Sequence, residues 1–216
     1  IILKKIKNPA GADVIMDKMP ASIFNDVIGP VMRGPSSSHV AGAARIAAVV
    51  RQSVGGDPLR AVVDFDVNGS LAASHDGHGT DMGFVCGMLG KEITEPDVDR
   101  YARLAREAGI EIEFRILEYG AEHPNNYRIE AWGRGGERHL WEGVSVGGGM
   151  IEMRNYDGFP VSIRGDFCEA LVKFPRGGAA AMKDSLLVAG SAPDFAQVVE
   201  GGNGSLLSLK YSKAPD

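Results

Sequence analysis

Val40-Ala41-Gly42-Ala43-Ala44-Arg45-Ile46-Ala47-Ala48-Val49-Val50 is the stretch that most narrows what this chain can fold into. Val40, Ala43, Ala44, Ala47 and Val50 recur at three and four residues, so the spacing predicts a helix to about Ser53 with one buried stripe. Its alanines and Gly42 imply close packing against a neighbour. The helix leaves a loop, Gly34-Pro35-Ser36-Ser37-Ser38-His39. Serine is a preferred N-cap, because its oxygen accepts a hydrogen bond from a backbone N–H that the helix leaves unpaired. A helix N-terminus also carries partial positive charge and suits a carboxylate or phosphate. One serine suffices for a cap, so three serines and a histidine leave polar groups over for a ligand. The plainer alternative, a well-capped helix after a turn, stays open.

A second polar loop follows. Ala61-Val62-Val63-Asp64-Phe65-Asp66-Val67-Asn68 alternates apolar and acidic residues and reads as a half-buried strand, with Asp64 and Asp66 on a solvated face. It runs through Gly69-Ser70-Leu71 into Ser74-His75-Asp76-Gly77-His78-Gly79-Thr80-Asp81. Glycines on both sides of His78 leave its ring uncrowded. Thr80 or Asp81 is placed to cap the next helix, Met82 to Leu89, which stops at Gly90. Loops between strands and helices cluster at one edge of an α/β sheet and commonly carry function, so two such loops point to one shared site.

Upstream, Ala21 to Ile28 suggests a short helix capped by Ser22, ended by Gly29-Pro30. Downstream, a polar helix spans Asp97 to Ala108 and a strand Ile110 to Ile116. Tyr127 to Trp132 and Arg138 to Gly143 form an antiparallel hairpin. Val144 to Met153 is strand-like with Gly147-Gly148-Gly149 inside it, a pattern that marks a bulge or a close approach. The tail reads as strand, helix, strand, strand over 169–174, 179–189, 195–199 and 205–211. The fold class is therefore α/β, a mixed sheet with packed helices over residues 1–165, then a small β-α-β-β segment over 166–216.

Composition excludes several classes. A net charge of −5 and a pI near 5.6 argue against a general nucleic-acid binder, which would normally show a basic face. No apolar run approaches the ~20 residues that span a bilayer, and no membrane partner is expected. With only Cys86 and Cys168 the chain is not a disulfide scaffold, and a cytoplasmic location is expected. His75 and His78 with Asp76 or Asp81 form a possible zinc pair, but no third ligand stands at fixed spacing.

Taken as a set, Ile28-Gly29-Pro30, Gly34-Pro35-Ser36-Ser37-Ser38-His39, Gly69-Ser70-Leu71, Gly77-His78-Gly79-Thr80-Asp81, His123-Pro124-Asn125 and Gly147-Gly148-Gly149 resemble the β chain or β domain of bacterial iron–sulfur L-serine dehydratases. They occur in that family's order over residues 22 to about 165. The tail more loosely resembles an ACT-type regulatory segment, with Pro175-Arg176-Gly177 as its ligand-facing loop. At the level of fold the main part resembles the allosteric substrate-binding domains of some phosphoglycerate dehydrogenases. Val40, His75-Asp76 and Asn126 depart from the family's usual residues beside the motifs, which leaves a related 2-amino acid open as substrate.

The resemblance implies a β-elimination in which L-serine loses water and yields pyruvate and ammonia. In the family an iron of a [4Fe–4S] cluster assists the departing hydroxyl, and a base removes the Cα proton. The resemblance gives the base role to His78 and an assisting role to His39. It makes Ser36, Ser37, Ser38, Gly69, Ser70, Thr80 and Asn125 the substrate-binding residues. Such a cluster needs three or four cysteines, so it is expected on a partner α chain or a missing C-terminal half, with no metal ligand here. The partners expected are that cluster-bearing chain or domain, an amino-acid substrate, and further copies in a homo- or hetero-oligomer. The alternative is a module that senses an amino acid or small acid without chemistry.

Overall fold

The computed structural model describes residues 6–7, 13–14, 29–188, 193–201 and 204–212. The chain divides into two units, one of residues Val27–Gly165 and a second of residues 166–216 with 1–26. The helix expected over 21–28 lies outside the described residues. In the second unit β1 (Ile6–Lys7) pairs antiparallel with β2 (Asp13–Val14).

The small-residue stretch forms α1 (Val40–Ser53). Beyond it come β3 (Pro58–Asp66), a short α2 (Ser70–Ser74) and α3 (Thr80–Leu89). The polar helix is split, a 3₁₀ turn at Val98–Arg100 preceding α4 (Tyr101–Glu107). Strands β4 (Glu111–Leu117), β5 (Asn126–Gly133), β6 (Arg138–Gly147), β7 (Met150–Tyr156) and β8 (Phe159–Ile163) complete the unit. One six-stranded mixed sheet results, in the order β4-β3-β5-β6-β7-β8. Only β3 and β4 are parallel, joined by the helical crossover that parallel strands require. The rest is an antiparallel meander.

The close packing expected of α1 is realised against α3. A Cβ built on Gly83 would lie 2.2 Å from the Val40 carbonyl oxygen, and one on Gly87 would lie 2.2 Å from that of Ala44. The helices thus meet backbone to backbone, which only the glycines permit. Phe65, Phe84, Val63, Tyr127, Ile129 and Trp141 fill the core.

Three expectations are corrected. Asp64 and Asp66 are not solvated: they are 5% and 3% exposed. Asp64 accepts from Arg115 Nε at 2.7 Å and from Arg128 Nη2 at 2.9 Å. Asp66 accepts the backbone N–H groups of Asn68, Tyr119 and Ala121 at 2.9–3.1 Å. The strand expected over 144–153 is broken at its glycines: Gly147 ends β6, Gly148 and Gly149 turn the chain into β7, and all three have positive φ. Neither helix start carries its expected side-chain cap: Ser36 to Ser38 do not cap α1, nor Thr80 or Asp81 α3.

In the second unit β9 (Cys168–Phe174), α5 (Gly178–Val188), β10 (Phe195–Gly201) and β11 (Gly204–Tyr211) form an antiparallel sheet ordered β10-β11-β9. Ala179, Ala196, Leu207 and Leu209 make its apolar core. Lys210 Nζ is 2.8 Å from Glu169 Oε2, and both side chains are buried.

Candidate functional site

His39 occupies the N-cap position of α1. The backbone N–H groups of His39 and Val40 both donate to the Ser36 carbonyl, at 3.2 and 2.8 Å, which frees the serine side chains for another use. Ser36 Oγ is 2.8 Å and Ser38 Oγ 3.2 Å from His39 Nδ1, and the two hydroxyls are 3.2 Å apart. Ser37 contributes its carbonyl to the Gly42 N–H at 3.1 Å. On the far side of the ring, Nε2 is 2.9 Å from Ser74 Oγ. Ser74 donates its only proton to the Ser70 carbonyl at 2.5 Å, so it accepts from His39 Nε2–H. The network therefore places a proton on Nε2, and in the neutral ring that burial favours Nδ1 accepts from a serine hydroxyl. Burial, and then the neighbouring His78, lowers the His39 pKa in the same direction.

The loop after β3 brings in the second group. Gly69 has no room for a side chain, since a Cβ there would sit 2.8 Å from the Pro124 carbonyl oxygen. Ser70 N donates to that same carbonyl at 2.9 Å, and Ser70 Oγ donates to Asn125 Oδ1. Asn125 N donates to His123 Nδ1 at 3.1 Å, and its Nδ2 reaches the Ser145 carbonyl at 3.5 Å. Asp66 ties this corner together from below, and those backbone donors hold its carboxyl at about 2.

The glycine-flanked loop before α3 completes the cluster. The rings of His39 and His78 meet edge to face with centroids 4.8 Å apart. Gly79 has φ +82°, and a Cβ there would be 2.8 Å from Val40 Cγ2. His78 is exposed, whereas His39 is buried. Thr80 has no exposed surface. Its hydroxyl lies beside that of Tyr127, outside good hydrogen-bond geometry. His75 turns away from His78: its Nδ1 is 2.7 Å from Asp81 Oδ1, and its ring packs on Phe65 and Phe114. Burial raises the Asp81 pKa, with the bond to His75 opposing.

The two loops thus bring Ser36, Ser38, His39 and His78 together, with Ser70 and Asn125 joined to them through Ser74. Ser74 was not among the residues singled out from sequence. Its signal was the four-residue spacing from Ser70, which on a helix sets one hydroxyl above the other. Chemically the cluster offers an imidazole bonded at both nitrogens to serine hydroxyls, packed against an exposed one. That arrangement is suited to moving a proton at a small polar ligand.

The donor set does not fit a resident metal or cluster. Among the described residues no three His, Cys, Asp or Glu side chains converge as a metal site. Cys86 is buried and its thiol is pushed up to about 11, chiefly by desolvation, while Cys168 belongs to the other unit. No described helix is long and apolar enough to cross a membrane.

Residues 26–112 match the family described as serine dehydratase beta chain. A Bacillus subtilis (strain 168) protein named probable L-serine dehydratase, beta chain, is 42% identical over 151 residues, 70% of this chain and 67% of that one. The Peptoniphilus asaccharolyticus L-serine dehydratase, beta chain, is 37% identical over 167 residues, 77% of this chain and 74% of its own length.

Proposed function

Because the chain belongs to the serine dehydratase beta chain family, we propose that it completes the active site of an L-serine dehydratase. The reaction is β-elimination of water from L-serine, giving pyruvate and ammonia. The observation that carries this reading is the edge-to-face meeting of His39 and His78 at 4.8 Å across two loops rich in hydroxyls.

In this reading the [4Fe–4S] cluster is held by a partner α chain, and when bound it supplies Lewis-acid assistance to the leaving hydroxyl. This chain supplies the rest. His78, exposed and with no side chain bonded to its ring among the described residues, takes the Cα proton at its imidazole. His39 stays neutral, so no positive charge beside His78 opposes proton uptake there. Ser36, Ser37 and Ser38, at the mouth of α1, receive the substrate carboxylate, where the helix N-terminus favours negative charge. Gly69 keeps the second loop close, Ser70 and Asn125 line its side, and Thr80 holds the start of α3 against Tyr127. The fold reading is an allosteric-substrate-binding-type domain followed by an ACT-like regulatory segment over 166–216, in a cytoplasmic oligomer.

The test is His78→Ala in the complex with the α chain. Pyruvate formation should fall by about 10²–10⁴-fold with the absorbance of the cluster unchanged. Activity that survives the substitution removes His78 from the role of base.

A further inference from the structure

Among the described residues of the 27–165 unit, the large apolar side chains that stand out into solvent are unevenly placed. Val31 and Met32, 69% and 49% exposed, precede the serine loop. Val146 leads into the glycine turn, Val67 leads into Gly69-Ser70, and Ile116 and Leu117 end β4. Backbone pairing joins these positions at one end of the sheet. Val67 N donates to the Leu117 carbonyl at 2.9 Å, and Ser145 N, beside Val146, donates to the Asn125 carbonyl at 3.1 Å. A Cβ on Gly29 would lie 3.6 Å from the Gly148 carbonyl oxygen, and one on Gly149 would lie 2.7 Å from Pro30 Cγ and 3.1 Å from Ala41 Cβ, so the 29–32 segment lies on the glycine turn next to the start of α1. Of the others so exposed, Leu59 starts β3 at the opposite end of the sheet, and Leu140 pairs with Glu130 near its middle.

We propose that this apolar rim is the surface on which the cluster-bearing α chain docks, closing over His39 and His78. The proposal rests on the subunit reading above. Solvent-exposed apolar groups gathered at one place mark an interface. Here they are continuous with a site that holds an exposed imidazole and lacks the donors for its own cluster. A chain seated on both halves of the rim brings its cluster to His78 and excludes water from the proton transfer. Charged residues would not need to be stripped of water at the centre of the contact, as the composition of interface cores requires.

The test measures binding of the α chain to this chain under anaerobic conditions by sedimentation or calorimetry. The variants are Val31→Asp with Met32→Asp on one side of the site and Val67→Asp on the other. Leu59→Asp and Leu140→Asp serve as controls. Each rim variant should keep its circular dichroism and bind the α chain at least about tenfold more weakly, while the controls bind as wild type does. Rim variants that bind normally, or controls that weaken equally, overturn this surface. In that case pyruvate formation by the wild-type mixture shows that the subunit reading still stands. A rim substitution that abolishes self-association and leaves α binding intact assigns the surface to a second copy and also overturns the proposal. Failure of the wild-type chain to bind the α chain at all overturns the subunit reading and the surface with it.

Discussion

Both nitrogens of His39 are engaged, Nδ1 by the serine hydroxyls and Nε2 by Ser74, and only His78 presents a free ring to the open side. A direct reading of that difference is imidazole ¹⁵N chemical shift at pH 7, which should report His39 as the neutral tautomer protonated at Nε2. A proton on Nδ1 would mean that the Ser74 bond runs the other way. Asp66 makes a second prediction. Its folded pKa of about 2 lies below its ordinary value, so its contribution to stability is present above about pH 4 and is lost as the pH falls through 2. Asp66→Asn should therefore lower the melting temperature at pH 7, and the gap from wild type should narrow towards pH 2. At this scale the sequence was legible where residue types were unusual together, as in three serines before a histidine. It misled where a common pattern had a private partner. Alternation put Asp64 and Asp66 on a solvated face, and nothing local announced that Arg115, Arg128 and three backbone N–H groups would cover them. The caps failed for a related reason. The Ser36 carbonyl takes the first helical N–H groups, so the hydroxyls are free to serve the imidazole.

The helix pair α1 and α3 sets the distance between the two histidines, since each helix begins at or just after one of them. Gly83→Ala puts a Cβ into the Val40 carbonyl and should cost about 1–3 kcal/mol, with a fall in activity as the loops part. Gly77→Ala meets nothing within 4 Å and should change stability by less than about 0.5 kcal/mol. Thermal unfolding of the two variants checks the contrast; equal losses would mean that helix contact does not govern the site. In the second unit burial pushes Glu169 up to about 7 and Asp166 adds to it, with Lys210 opposing. The raised folded pKa means that the unfolded chain ionises first. The stability of this unit should accordingly fall as the pH rises from about 4.5 to 7, and Glu169→Gln should remove that slope. Elements with a clean period, α1 and β4 among them, were legible because one face is buried and the other is not. Strand β8 and the short α2 were not anticipated, and the single strand expected through the triple glycine is two strands, β6 ending at Gly147 and β7 starting at Met150. A run of positive-φ residues reverses the chain, and only strand pairing shows whether a glycine run bends a strand or ends it.

At the scale of the whole molecule the proposed role is half of a chemistry. The fold gathers hydroxyls and two imidazoles at one end of the sheet, leaves one imidazole exposed there, and provides no donor set for a cluster among the described residues. The family was legible because several weak motifs fell in one order, and the meeting of the two polar loops was legible because each opens a helix of the same pair. The apolar rim was not, because exposure depends on what the fold leaves uncovered and has no period along the chain. The central claim is that the site works only when a second chain completes it. Its most direct test is anaerobic pyruvate formation from L-serine by this chain alone, by the α chain alone, and by the two mixed. The account predicts turnover in the mixture and none in either chain alone. Turnover by this chain alone, or an inert mixture whose cluster is intact and whose chains are bound, would contradict it.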